Sequence, residues 1–171
     1  SLSKIDTISE VFPNFKILSH NKAIYGQLRY QPVAKMDLAW GHFAQANNEG
    51  NKILQDIIIR NCKENIVTEL YSGNGNFTLP LAETNKKIIS VEIDPILIDE
   101  ATNAAKEKGL KNKIKFVRSS VESFIKQNML SEVVVLDPPR SGAKIFTQKS
   151  DFFNVEKIIY VSCNPHTQAR D

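Results

Sequence analysis

From about residue 45 onward, short runs of apolar, β-branched residues alternate with stretches in which apolar residues recur every three or four positions. The first rhythm predicts buried strands and the second predicts amphipathic helices. Ile53, Leu54, Ile57 and Ile58, with polar residues between them, predict a helix over 45–62. Strands are predicted over 66–71, 87–91, 114–117, 133–136 and 158–161, and helices over 77–82, 95–108 and 121–128. Asp94 is suited to cap the helix over 95–108, Pro95 to begin it and Gly109 to stop it. Pro80 is tolerable only because it lies near the first turn of its helix. Residues 1–43 differ: apolar pieces at 11–18, 23–30 and 36–43 are interrupted by Pro13, Gly26, Pro32 and Gly41, which predicts short strands and turns.

Five apolar strands, most separated by helices, predict an α/β domain with a doubly wound, mostly parallel sheet covered on both faces. The expected division is an N-terminal segment over 1–43 and the α/β domain over 44–171.

Charge and cysteine content narrow the class. The net charge of +3, from 22 basic and 19 acidic residues, tolerates a nucleic-acid partner without demanding one. The densest basic stretch, Lys106, Lys108, Lys111, Lys113, Lys115 and Arg118, reads first as a solvated helix end, with an RNA backbone contact as the alternative. Two cysteines, Cys62 and Cys163, exclude a disulfide framework within the chain. His20, His42 and His166 have no metal-ligand spacing, so no metal is expected. No apolar run approaches the roughly eighteen residues that span a bilayer. The expectation is a cytoplasmic monomer, and the start at Ser1 and the stop at Asp171 within a polar stretch read as a fragment or a processed chain.

In such sheets ligands bind beyond the carboxyl ends of the strands, where the strand order reverses. The predicted ends carry Ser72-Gly73-Asn74-Gly75-Asn76, then Glu92, then Asp137-Pro138-Pro139-Arg140, then Ser162-Cys163-Asn164-Pro165. Gly73 lets backbone approach a ligand closely. Glu92, one βαβ step later, is placed to accept from both ribose hydroxyls of a nucleoside cofactor. The turn lacks the third glycine of the dinucleotide fingerprint and the Gly-Lys-Ser/Thr of a P-loop, which favours a cofactor without a pyrophosphate, S-adenosyl-L-methionine. The tandem prolines hold their segment extended, suited to presenting polar edges to a planar base; Asp137 as the cap of a following helix is the plainer alternative. A lone cysteine is more often apolar filler, which suits Cys62 at a helix end. Cys163, among polar neighbours just past a strand, reads as a nucleophile. A free thiol with a pKa near ~8.5 needs a cation or an amide dipole nearby, and Arg140 is the candidate.

Together these residues resemble the RNA uracil-C5 methyltransferases that form 5-methyluridine in transfer and ribosomal RNA. The resemblance covers about 40–171. It rests on Phe43-Ala-Gln45-Ala-Asn47, on Leu70 to Leu81, on Val91-Glu92, on Asp137-Pro-Pro-Arg-Ser-Gly142, and on Tyr160 to Pro165 followed by Ala169-Arg170-Asp171, all in order. It implies that 44–171 is a methyltransferase catalytic domain lacking the last strands. Gln45, Tyr71, Asn76, Glu92 and Asp137 would line the cofactor and base pocket, Ser120 would add a cofactor contact, and Cys163 would be the nucleophile.

The implied chemistry is attack by the Cys163 thiolate on carbon 6 of uracil, which makes carbon 5 nucleophilic enough to accept a methyl group. Arg140 or Gln45 is a candidate donor to the enolate oxygen. The target uridine is expected to leave its stack to enter the pocket. Family members usually place a glutamate base further toward the C terminus, and many carry an N-terminal oligonucleotide-binding barrel; neither is found in these 171 residues. Glu69 and Glu122 do not occupy the base position. The rival readings are a methyltransferase for another base, a catalytically silent RNA- or cofactor-binding module, and a dinucleotide-binding domain.

Overall fold

The computed structural model describes residues 48–144 and 155–171, together with the backbone of two short strands. Those strands, β1 (Leu18–Ser19) and β2 (Lys22–Ala23), pair antiparallel with Leu18 opposite Ala23. The chain divides into two compact units, Ser1–Asn48 and Glu49–Asp171. Helix α1 spans Asn48–Asn61. The predicted helix residues 45–47, and Gln45 with them, lie outside the described residues.

Five strands then build one parallel sheet: β3 (Ile66–Leu70), β4 (Lys87–Glu92), β5 (Ile114–Arg118), β6 (Val133–Leu136) and β7 (Lys157–Tyr160). Their spatial order is β5-β4-β3-β6-β7. The chain steps outward from β3 to β5, returns to the far side of β3 at β6, and so creates the reversal that defines a ligand crevice. Helices α2 (Thr78–Glu83), α3 (Pro95–Glu107), α4 (Val121–Gln127) and α5 (Pro165–Arg170) complete the unit.

The local signals act as their chemistry dictates. The Asp94 side chain accepts from the Ile96 amide at 2.8 Å, and Pro95 follows in the first turn. Ser120 caps α4 by accepting from the Ser123 amide at 3.1 Å. Gly109, at φ +68°, lets the chain leave α3 in the left-handed region that glycine tolerates. The central strands are buried on both faces because both are covered: Val67, Leu70, Val91 and Val133 to Leu136 are all fully buried. On one face Leu70, Val91, Val134 and Leu136 pack against Val121, Phe124 and Ile125 of α4.

The basic stretch behaves largely as a helix end. Lys108 pairs with Glu83 at 2.6 Å and Lys113 donates to Asn85 at 2.8 Å, while Lys106, Lys111, Lys115 and Arg118 are exposed.

Candidate active site

Strand register sets the site. Leu70 is level with Val91 on one side and with Leu136 on the other, and Leu136 is level with Tyr160. The strands lie about 4.8 Å apart, and the next residue along each, Glu92, Tyr71, Asp137 and Val161, therefore stands at the carboxyl edge of the sheet. Cys163 follows Val161 by two positions. The reversal point divides the row, with Tyr71 and Glu92 toward β4 and Asp137 and Cys163 toward β7.

On the first side lies a cavity of about 120 Å³ lined by Tyr71, Val91, Glu92, Ile93, Ser119, Ser120, Val121 and Glu122. Pockets that enclose a drug-sized ligand run to roughly 300–1,000 Å³. Glu92 is buried, and its carboxylate is aimed by backbone donors: Gly73 at 2.9 Å to one oxygen, Ile93 at 2.7 Å and Asp94 at 3.0 Å to the other. Each oxygen retains acceptor capacity for a ligand hydroxyl.

The loop above is built from left-handed backbone. Tyr71 stands at φ +59°, Gly73 at +55° and Gly75 at +89°. For tyrosine this conformation costs on the order of 1–3 kcal/mol, the kind of strain that gathers at functional sites. Around Gly73 nothing lies within 4 Å of where a Cβ would stand, so a ligand can approach the backbone there. Gly75 serves packing instead, since its Cβ would lie 3.3 Å from that of Ala101.

Beneath the loop, on the sheet face opposite α4, runs a buried polar chain. Thr78 donates to Glu69 and shares a 3.1 Å hydrogen bond with Ser90, and Ser90 donates to Ser72 at 2.8 Å. Burial pushes the Glu69 carboxyl up to about 8, even though the Thr78 hydrogen bond pulls the other way.

Asn76 is held by α1. Its side-chain oxygen accepts from Asn51 at 2.9 Å and from Gln55 at 3.0 Å, and its amide nitrogen donates to Asn51 at 2.9 Å. Asn76 is absent from the cavity lining, and its side chain clamps the loop to α1. Ser119 and Ile93 line the cavity without having been singled out from sequence; their flanking of Ser120 and Glu92 was the available signal.

On the second side, burial pushes Asp137 up to about 6, with no hydrogen bond from the described residues pulling it back. It caps no helix, because the segment after it is a turn closed by Gly142 donating to Pro139 at 2.8 Å. Pro138 is buried, and Pro139 and Arg140 are exposed. Cys163 is exposed, one residue before Asn164, whose side chain caps α5 by accepting from His166 at 3.1 Å. Cys62 is buried, and burial pushes its thiol up to about 11, as suits apolar filler. Among the described residues no group of three His, Cys, Asp or Glu is placed to hold a metal ion, and no helix is long and apolar enough to cross a membrane.

This arrangement of sheet order and strand-end loops is a methyltransferase fold. It is similar to the crystal structure of Pyrococcus abyssi tRNA (uracil-54, C5)-methyltransferase in complex with S-adenosyl-L-homocysteine. The TM-score is 0.64 at 23% identity, over 77% of this chain and 33% of that one. The family model for tRNA (uracil-5-)-methyltransferases matches residues 34–171, and the chain belongs to that family. It is 33% identical over 175 aligned positions to the 23S rRNA (uracil(1939)-C(5))-methyltransferase of Francisella tularensis subsp. novicida (strain U112). The protein of the same name from Legionella pneumophila (strain Paris) is 35% identical over 75% of this chain and 30% of its own length. The chain spans 38% of the length of the Francisella relative.

Proposed function

We propose that the protein to which this chain belongs transfers a methyl group from S-adenosyl-L-methionine to carbon 5 of a uridine in RNA, through a covalent adduct with Cys163. The observation that carries the reading is the level row of strand ends, with Glu92 and Tyr71 on one side of the reversal point and Asp137 and the Cys163 turn on the other.

The residues present fit the cofactor. The buried Glu92 carboxylate suits a ribose diol, the space above Gly73 admits the ligand to the backbone, and the loop has no third glycine for a pyrophosphate. Tyr71, Ser120 and Gln45 are the further candidate contacts. When bound, the cofactor supplies an electrophilic methyl group on a sulfonium sulfur.

The chain's own groups do the rest. The Cys163 thiolate attacks carbon 6 of the uracil, and the electron pair displaced onto carbon 5 and the carbonyl oxygen makes that carbon the nucleophile. Asp137, carrying its proton up to about pH 6, is set to hold a polar edge of the base. Arg140 is the candidate donor to the enolate oxygen. The relatives at 33–35% identity are by name 23S rRNA enzymes, which makes large-subunit rRNA the first substrate to test.

Mass spectrometry of RNA from cells lacking the parent gene tests the reading. One 5-methyluridine is expected to disappear from ribosomal or transfer RNA; an unchanged set of 5-methyluridines contradicts it. In a thermal-shift titration S-adenosyl-L-methionine is expected to stabilise the protein by mass action and a nicotinamide dinucleotide is not.

A further inference from the structure

The second side of the site depends on two separate segments: the loop leaving β6, which carries Asp137 and Arg140, and the turn leaving β7, which carries Cys163. At their base Val161 donates to the Leu136 carbonyl at 2.8 Å. Beyond it each closes on itself, the first through Gly142 and Pro139, the second through Ser162 and Asn164 at 3.0 Å.

Asp171, just past α5, ties them together. Its side chain is wholly buried. One carboxylate oxygen accepts from the Ala143 amide of the first loop and from the Tyr160 hydroxyl of β7 at 2.8 Å. The other accepts from Nε of Arg170 at 2.9 Å and from a terminal nitrogen at 2.6 Å, and that nitrogen also donates to the Ser141 carbonyl at 2.7 Å. Burial alone would raise the Asp171 pKa, but the hydrogen bonds from Arg170, Tyr160 and Ala143 outweigh it and hold the group below the usual carboxylate value.

Gly142 gives independent evidence of how closely the parts fit. It stands at φ +79°, and a Cβ there would run into the Asp171 carboxylate. Four donors leave this carboxylate little capacity for a substrate, so its work is structural geometry rather than chemistry.

We infer that Asp171 is a positioning residue, whose carboxylate fixes the loop bearing Asp137 and Arg140 relative to the turn bearing Cys163 by gathering Ala143, Tyr160 and Arg170. The inference rests on the uracil-methylation reading above, in which those three groups act on one base. Displacing a reacting group by an ångström costs on the order of 100-fold in rate.

The test uses the full-length protein and measures the rate at which it captures 5-fluorouridine-containing RNA covalently at saturating cofactor. Asp171→Asn is expected to slow capture about 100-fold and Tyr160→Phe about fivefold. Cofactor affinity should stay within about twofold, because Glu92 stands on β4, across β3 from both segments, and iodoacetamide should still alkylate Cys163. An Asp171→Asn protein that captures at the wild-type rate overturns the inference, as does a loss matched by an equal loss of cofactor affinity. Should Asp171→Asn fail to fold, Tyr160→Phe, which deletes one hydroxyl, decides in the same way. Wild-type protein that captures no RNA sinks the methylation reading and this inference with it; normal wild-type capture with an unimpaired Asp171→Asn sinks this inference alone.

Discussion

Asn76 and Asn51 exchange hydrogen bonds through their side-chain amides, each 2.9 Å long, and Gln55 adds one to the same Asn76 oxygen. The glycine-rich loop is thereby anchored to α1, twenty-five positions earlier in the chain. Asn76→Ala leaves Asn51 without both of these bonds in a half-buried setting, at a cost of about 1–3 kcal/mol, while Gln55 keeps its 2.9 Å bond to the residue-76 carbonyl. Urea unfolding should show that loss, while cofactor affinity changes less than about threefold. A large affinity loss with stability intact would instead make Asn76 a direct cofactor contact.

Glu92 should behave in the opposite way. A hydrogen bond from a ligand hydroxyl to a charged acceptor is worth about 1.5–3 kcal/mol, so Glu92→Gln should weaken S-adenosyl-L-methionine binding roughly 10- to 150-fold. Calorimetric titration reads this directly. Unchanged affinity would remove the carboxylate from the cofactor site.

Glu69 makes stability depend on pH. Its folded-state pKa, pushed up by burial to about 8, exceeds the ordinary 4.5 of the unfolded chain. Between those values the folded state holds a proton that the unfolded state has lost, so stability falls as pH rises from about 4.5 to about 8. Asp137 acts in the same direction but only up to about pH 6. Unfolding free energies at pH 6 and pH 8 therefore isolate Glu69: the wild type should lose stability over that interval and Glu69→Gln should lose much less. Equal slopes would mean that Glu69 is ionised throughout.

The two cysteines should separate by reactivity. Cys163 is exposed, whereas Cys62 is 2% exposed and burial pushes its thiol up to about 11. Brief iodoacetamide treatment of native protein at pH 7.5, followed by peptide mass spectrometry, should find the label on Cys163 and little on Cys62. Preferential labelling of Cys62 would contradict both assignments.

The alternation of strands and helices was legible in the sequence because each boundary has a local cause. Asp94-Pro95 starts a helix and Gly109 ends it; Val133 to Leu136 is apolar throughout because its strand is covered on both faces. Tyr71, Glu92, Ser120, Asp137 and Cys163 could be placed at strand ends or helix starts for the same reason. The role of Asn76 could not, since its partners lie on another element. Asn51 and Gln55 stand one helical turn apart and look like ordinary solvated positions until the loop is folded against them. Asp171 was hidden in the same way: in sequence it stands in a polar stretch, and only the fold brings Ala143 and Tyr160 to it. The strain at Tyr71 also left no local mark, because tyrosine is not a residue that signals a left-handed turn.

The central claim is that Cys163 bonds covalently to a uracil held on the β6–β7 side of the site. Incubating the full-length protein with S-adenosyl-L-methionine and 5-fluorouridine-containing RNA tests it, because fluorine at carbon 5 cannot leave as a proton and the adduct is trapped. The account predicts a denaturant-stable complex whose modified peptide contains Cys163, present in Cys62→Ala and absent in Cys163→Ala. A complex that survives Cys163→Ala, or one attached elsewhere in the chain, would contradict it.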